Sequence, residues 1–240
     1  MAPGAELLAY AAALLLFVGC NSNPDNYREQ MIVYTTLNPG LAHQVVVVDR
    51  TYRVDEPAPE SIGVSGAVVR LWREGSADTV AFPESTRVGF YRDTLTYPCV
   101  LPCSTYRLDV NWQGFHGTTT ITAPDTFRFI SPHAGETLSA SNAPALVWRR
   151  SLYSAQYRIR LSGPPRRDSS FDLPIVTQDT FLLPYPGLFD TAGAFGLHIY
   201  ALDRHLYSYE AGASMDTIGE NVLADIGAQT VDSIRVLVVP

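Results

Sequence analysis

In the run TYRLDVNW, Tyr106, Leu108, Val110 and Trp112 alternate with Arg107, Asp109 and Asn111. A two-residue period is met only by an extended strand with one dry and one wet face. AQYRIRLSG repeats the pattern, with Tyr157, Ile159 and Leu161 on one side and Arg158 and Arg160 on the other. No helical periodicity of comparable length occurs beyond the N-terminal segment, so the expected fold is all-β. Large apolar side chains at every second position suit two sheets packed face to face. The expected architecture is therefore two consecutive immunoglobulin-like β-sandwich domains.

The first predicted sandwich covers 31–124. MIVYTTL, HQVVVVDRTYRV, GAVVRLWRE, RVGFYRDTLTY, TYRLDVNWQG and GTTTITA are rich in Val, Thr, Tyr, Phe or Ile and are separated by turn-forming residues. After the hinge-like Ala123-Pro124-Asp125, a second sandwich is predicted over 125–240, with strands at TFRFISP, PALVWRRS, AQYRIRLSG, DTFLLP, GLHIYALDRH and DSIRVLVV. The stretch 206–230 fits no strand and reads as a long loop with a short helical turn. Loops of that length are usually functional or disordered.

At the N-terminus, Leu7 to Gly19 form an unbroken apolar or small-residue run that stops at Cys20. That is the length of a secretory h-region, whereas a spanning helix needs about 20 residues. Leu16-Phe17-Val18-Gly19-Cys20 resembles the bacterial lipobox, with Phe17 where Leu is usual and no Lys or Arg in MAPGAE. The resemblance implies a signal peptide over 1–19, lipidation of Cys20 and a polar tether over 20–30. Asn21 is not the Asp that marks inner-membrane retention in some bacteria, which favours outward sorting. The alternative is an ordinary cleaved signal, or an anchor helix, with Cys20 incidental.

With Cys20 assigned to lipid, Cys99 and Cys103 remain of the three cysteines. An even remainder in an exported chain suggests a disulfide, provided that Pro98 and Pro102 bend the segment tightly enough to bring the two Cα atoms together. So short a loop would contribute about 2 kcal/mol, pinning a turn without creating a fold. Metal ligation by the pair is the weaker reading, because zinc sites usually need four ligands. The formal net charge is −7, and all cations are Arg, scattered singly apart from Arg149-Arg150 and Arg166-Arg167. A nucleic-acid partner would want a basic face and is not expected.

From Val64 to Val110, the sequence SGAVVRL, then VGFY, then LPCSTYRLDV is similar to the transthyretin-like sandwich of carboxypeptidase regulatory domains, with Cys103 where those domains usually have Gly. The second half resembles a fibronectin type III domain, with Trp148, Tyr157 and Tyr200-Ala201 at its core aromatic positions. Lipobox, first sandwich, junction and second sandwich in that order resemble Bacteroidetes-type outer-membrane lipoproteins that carry a domain of unknown function. The resemblance implies a lipid-anchored outer-membrane protein, at the periplasmic face or the cell surface, often found with TonB-dependent transporters.

The usual catalytic constellations do not occur: there is no G-x-S-x-G, H-E-x-x-H or P-loop. His43, His116, His133, His198 and His205 are dispersed. Asp203, Asp216, Glu220 and Asp225 could suit Ca²⁺, but they match no known loop spacing and read as solvated loop acids. No metal or cofactor is expected. His205, Tyr207 and Tyr209 form a candidate contact loop, since exposed Tyr gives stacking area for a glycan or protein at low entropic cost. The expected function is that of a non-enzymatic, membrane-anchored binding or accessory component. The alternatives are a structural or adhesive cell-surface module and, third, a hydrolase built from scattered residues.

Overall fold

The computed structural model describes residues 27–53, 55, 57, 59–163, 171–177, 179–183, 188–189, 191–210 and 212–240. Cys20, the signal segment and most of the tether lie outside the described residues. The protein is all-β. Its strands are β1 (Met31–Leu37), β2 (Val45–Arg50), β3 (Val68–Arg73), β4 (Thr79–Phe82), β5 (Phe90–Arg92), β6 (Thr105–Trp112), β7 (Phe115–Thr122), β8 (Phe129–Ser131), β9 (Thr137–Ser139), β10 (Leu146–Trp148), β11 (Gln156–Ser162), β12 (Phe171–Thr177), β13 (Phe181–Leu182) and β14 (Gly193–Leu202). A short helix, α1 (Arg204–Glu210), then leads to β15 (Asp216–Gly219) and β16 (Val222–Val239).

The first sandwich packs β16-β1-β2-β5 against β4-β3-β6-β7. Tyr106, Leu108, Val110 and Trp112 all face its core, as the period of β6 requires, with Leu71 beside them on β3 and Tyr91, Val33 and Val48 on the facing sheet. In the second sandwich, β12-β11-β14-β16, with β9 parallel to the end of β16, packs against β13-β10-β8. Trp148 and Tyr157 meet edge to face at 5.4 Å in its core, and Phe127 meets Tyr157 at 5.8 Å.

One strand belongs to both units. The first half of β16 pairs parallel with β1 (Met31↔Val222 to Leu37↔Ala228), and its second half pairs antiparallel with β14 (Leu202↔Gln229 to Gly193↔Val238). Val222, Ala224, Ile226 and Ala228 enter the first core, while Val236 and Val238 enter the second. The chain thus leaves the first sandwich near Ala123 and returns to complete it. At the crossing, the Asp125 carbonyl accepts hydrogen bonds from Ser151 Oγ at 2.6 Å and Thr230 Oγ1 at 2.9 Å.

The stretch 206–230, expected as a loop, is instead most of α1, the hairpin of β15 and β16, and the first half of β16. Its strand character is hidden because crowding demands small residues there. A Cβ on Gly227 would lie 2.6 Å from Leu206 Cβ, and one on Gly219 would lie 2.0 Å from the His116 carbonyl oxygen. Small side chains dilute the apolar alternation that marks other strands.

Candidate functional site

The disulfide expected between Cys99 and Cys103 is not formed. Cys99 and Cys103 are both free thiols. Cys99 points inward and donates a hydrogen bond to Asp93 Oδ2 at 3.9 Å, whereas Cys103 is exposed and its thiol lies by Asp125. The reason is local: Cys103 has φ 54°, the left-handed conformation that favours the Gly usual at this place in the resembling domains. That backbone turns its side chain away from Cys99.

His205, Tyr207 and Tyr209 lie on α1 and not in a loop. Two residues advance about 200° around a helix, so His205 and Tyr207 project to opposite sides. His205 Nδ1 is engaged with Asp216 Oδ2 at 3.1 Å, Tyr207 is half-buried, and the side chain of Tyr209 lies outside the described residues. Asp203, read from sequence as a solvated acid, is 2% exposed. It caps α1 by accepting a hydrogen bond from the Leu206 amide at 2.9 Å. Its Oδ2 is buried and has no hydrogen-bond partner among the described residues. Burial pushes its carboxyl up to about 6 against the pull of the Leu206 and Ala228 backbone hydrogen bonds.

Two of the concavities among the described residues gather polar and titratable side chains. An open groove of 580 Å³ runs between β4 and the segment after β5, with Tyr97, Cys99, Leu101 and Asp78 among its lining. Beneath it Asp93, 1% exposed, accepts hydrogen bonds from the backbone amides of Gln44 and Leu95 and shapes the segment. Cys99 is a poor nucleophile there, since burial and the Asp93 charge push its thiol up to about 11.

The second concavity is a recess of 520 Å³ on the outer face of the second unit's large sheet. β11, β14 and β16 place Ser162, Gly196, His198, Ser233 and Arg235 on that face, because Ser162 and Arg235 are the register partners of Gly196, and Ser233 that of His198. His198 Nδ1 lies 2.8 Å from Ser233 Oγ and Nε2 lies 3.5 Å from Ser162 Oγ. Burial, and then the Arg160 charge, hold the His198 imidazole below its ordinary range, so the ring is neutral near pH 7. One ring nitrogen then donates and the other accepts. Next along the sheet, Arg158 stacks over Tyr200 at 4.6 Å and donates to Gln229 Oε1 at 3.3 Å.

This constellation is not visible in the sequence as a motif. Its members are scattered from 162 to 235, and each is only the wet position of an alternating strand. The one available signal was that alternation, which places Arg158, Arg160 and Ser162 on a common outer face.

Among curated proteins, none matches the chain in sequence. Solved structures similar to it include the fibronectin(III)-like modules of CbhA from Clostridium thermocellum. They are 9% identical, with 88% of this chain and 94% of that one covered, at a TM-score of 0.31. A chimeric titin Z1Z2 tandem is 14% identical over 88% of this chain and 97% of that one, at a TM-score of 0.24. The four N-terminal Ig domains of Dscam1 are 7% identical over 88% and 46% of the two chains, at a TM-score of 0.24. A family model matches residues 21–223, most of the first sandwich and of the second together with the start of the strand they share. The chain belongs to the family described as Domain of unknown function (DUF4249).

Proposed function

We propose that this protein is a non-enzymatic lipoprotein of the bacterial outer membrane, anchored through an acylated Cys20, whose paired sandwiches form a stiff stalk that offers binding surfaces to an envelope partner such as a TonB-dependent transporter. The observation that carries this reading is the shared strand. β16 is 18 residues long, about 60 Å at the rise of an extended chain, and passes from one core into the other. Because β1 runs parallel to it from Met31↔Val222, the tether joins the first sandwich at the end remote from the second. A lipid on Cys20 would then hold the second unit, with its exposed recess, away from the bilayer.

Metabolic labelling with an acyl-chain probe tests the anchor. Wild type is expected to incorporate the probe and Cys20→Ala is not; equal labelling of both would remove the anchor from the reading. Cross-linking in cells tests the role, with a distinct partner expected.

A structural or adhesive module is the second reading, and a particular observation favours it. Ile130, Phe181 and Leu183, on or beside the small sheet of the second unit, are 52%, 48% and 65% exposed. Exposed apolar groups on one sheet suit self-association. A cross-linked ladder of this chain alone would select that reading over the first.

A further inference from the structure

Gly196 lies at the centre of the second unit's outer sheet face, between its register partners Ser162 on β11 and Arg235 on β16. The absence of a side chain there leaves a floor of bare backbone. A Cβ at this position would lie 2.6 Å from Ser162 Oγ and 3.0 Å from His198 Nε2, so any larger residue fills the recess. Around that floor stand two hydroxyls, an imidazole and an exposed guanidinium, and no carboxylate is among the described lining residues.

The polar groups are held in place across three strands. Ser233 and Ser162 contact the two nitrogens of His198 from either side, at 2.8 and 3.5 Å, so the ring cannot turn without losing both contacts. The neutral imidazole leaves Arg235 as the fixed charge at the rim. A guanidinium presents a planar fork of donors that matches the oxygens of a carboxylate or phosphate. In a chain of net charge −7, a recess combining this cation with a hydroxyl donor favours an anion by charge complementarity.

We infer that the recess binds the oxyanion group of a small acidic ligand, a carboxylate such as that of a uronic acid or a phosphate, with Arg235 as charge partner, His198 orienting both serines, and the serine that accepts the ring N–H free to donate its own hydroxyl proton to the ligand. The inference deepens the proposed binding role and rests on it for its biological setting. Its chemistry depends only on the second sandwich.

The test is a titration of the full chain, solubilised in detergent and labelled with nitrogen-15 at histidine. The His198 signals are assigned by their loss in His198→Gln. Inorganic phosphate, glucuronate and neutral glucose are the three probes. A saturable shift of the His198 signals with phosphate, with glucuronate or with both is expected, and which of the two anions acts identifies the source. Arg235→Gln should weaken the response by about tenfold or more, and Gly196→Ala should abolish it, while the signals of the other histidines stay in place to report an intact fold. No saturable shift with either anion, an equal response to glucose, or an unchanged response in Arg235→Gln would overturn the inference. Because the titration uses no cells, its failure leaves the lipoprotein reading to the labelling and cross-linking results, and their failure leaves the titration standing.

Discussion

Met31 and Val222 are neighbours in a parallel ladder that continues to Leu37 and Ala228, so the first strand of the folded body is flanked by the last. Through this pairing the C-terminal segment closes the first sandwich before it crosses into the second. The two units share backbone hydrogen bonds along one strand and are not merely joined by a linker.

Such sharing predicts cooperative unfolding. Ile226 is buried in the first core and Val236 in the second, yet both sit on β16. Ile226→Ala should destabilise the protein by about 2 to 4 kcal/mol and should lower the urea midpoint of both units together. Hydrogen-exchange mass spectrometry on peptides from β6 and β11 reads the units separately; two unrelated midpoints would show that β16 does not couple them.

Buried tyrosine hydroxyls replace backbone partners where strands give way to turns. Tyr91 donates to the Val64 carbonyl at 2.7 Å and accepts from the Ala67 amide at 2.9 Å. Tyr157 accepts from the Ser151 amide at 2.7 Å. Tyr91→Phe and Tyr157→Phe preserve the rings but leave these groups unpaired, which should cost about 1 to 3 kcal/mol each. Chemical denaturation measures this directly, and a change near zero in both would mean that water replaces the hydroxyl without loss.

Asp203 should make the protein lose stability as pH rises. Its folded carboxyl titrates near 6 against an ordinary value of 3.8, so the folded state binds more protons than the unfolded state between those values. The contribution is fully present below about pH 4 and is lost as pH climbs through about 6. Asp203→Asn keeps a capping oxygen for Leu206 and removes the titration. At pH 7 the variant should be more stable than wild type by on the order of 2 kcal/mol, with the difference vanishing near pH 4. Thermal melts across this range check it, and a constant difference at every pH would assign the effect to packing.

The thiols should react separately. Cys103 is exposed, while Cys99 is partly buried with its thiol raised to about 11. Iodoacetamide at pH 8 should therefore label Cys103 first. After mild oxidation of the unlabelled chain, intact mass should show no loss of two hydrogens; such a loss would mean that the turn at Pro98 and Pro102 rearranges to let the pair join.

The strands with large, strictly alternating side chains were legible. In β6 and β11 the period itself dictates which face is dry, Tyr157 included, and Trp148 was placed in the second core by its resemblance alone. β16 was not legible in its first half, where Ala224, Gly227 and Ala228 look like loop composition. Gly227 has no side chain because Leu206 and Asp203 pack above it, while Ala224 and Ala228 face the first core, tertiary demands with no local signature. The candidate site was hidden for a related reason. Ser162, His198 and Ser233 are unremarkable wet positions until strand register aligns them.

Sequence alone determined the all-β class, because side chains alternate by the geometry of the extended backbone whatever the partner strand. It also raised the expectation of an N-terminal lipid anchor, which lies outside the described residues. Only the tertiary structure decided that one strand serves two cores, that Asp203 is buried, that Cys99 and Cys103 diverge, and that a serine-histidine-serine row flanks Gly196. Each of these depends on which strands lie side by side and in what register. Pairing of that kind joins residues far apart in the chain, and no local pattern encodes it.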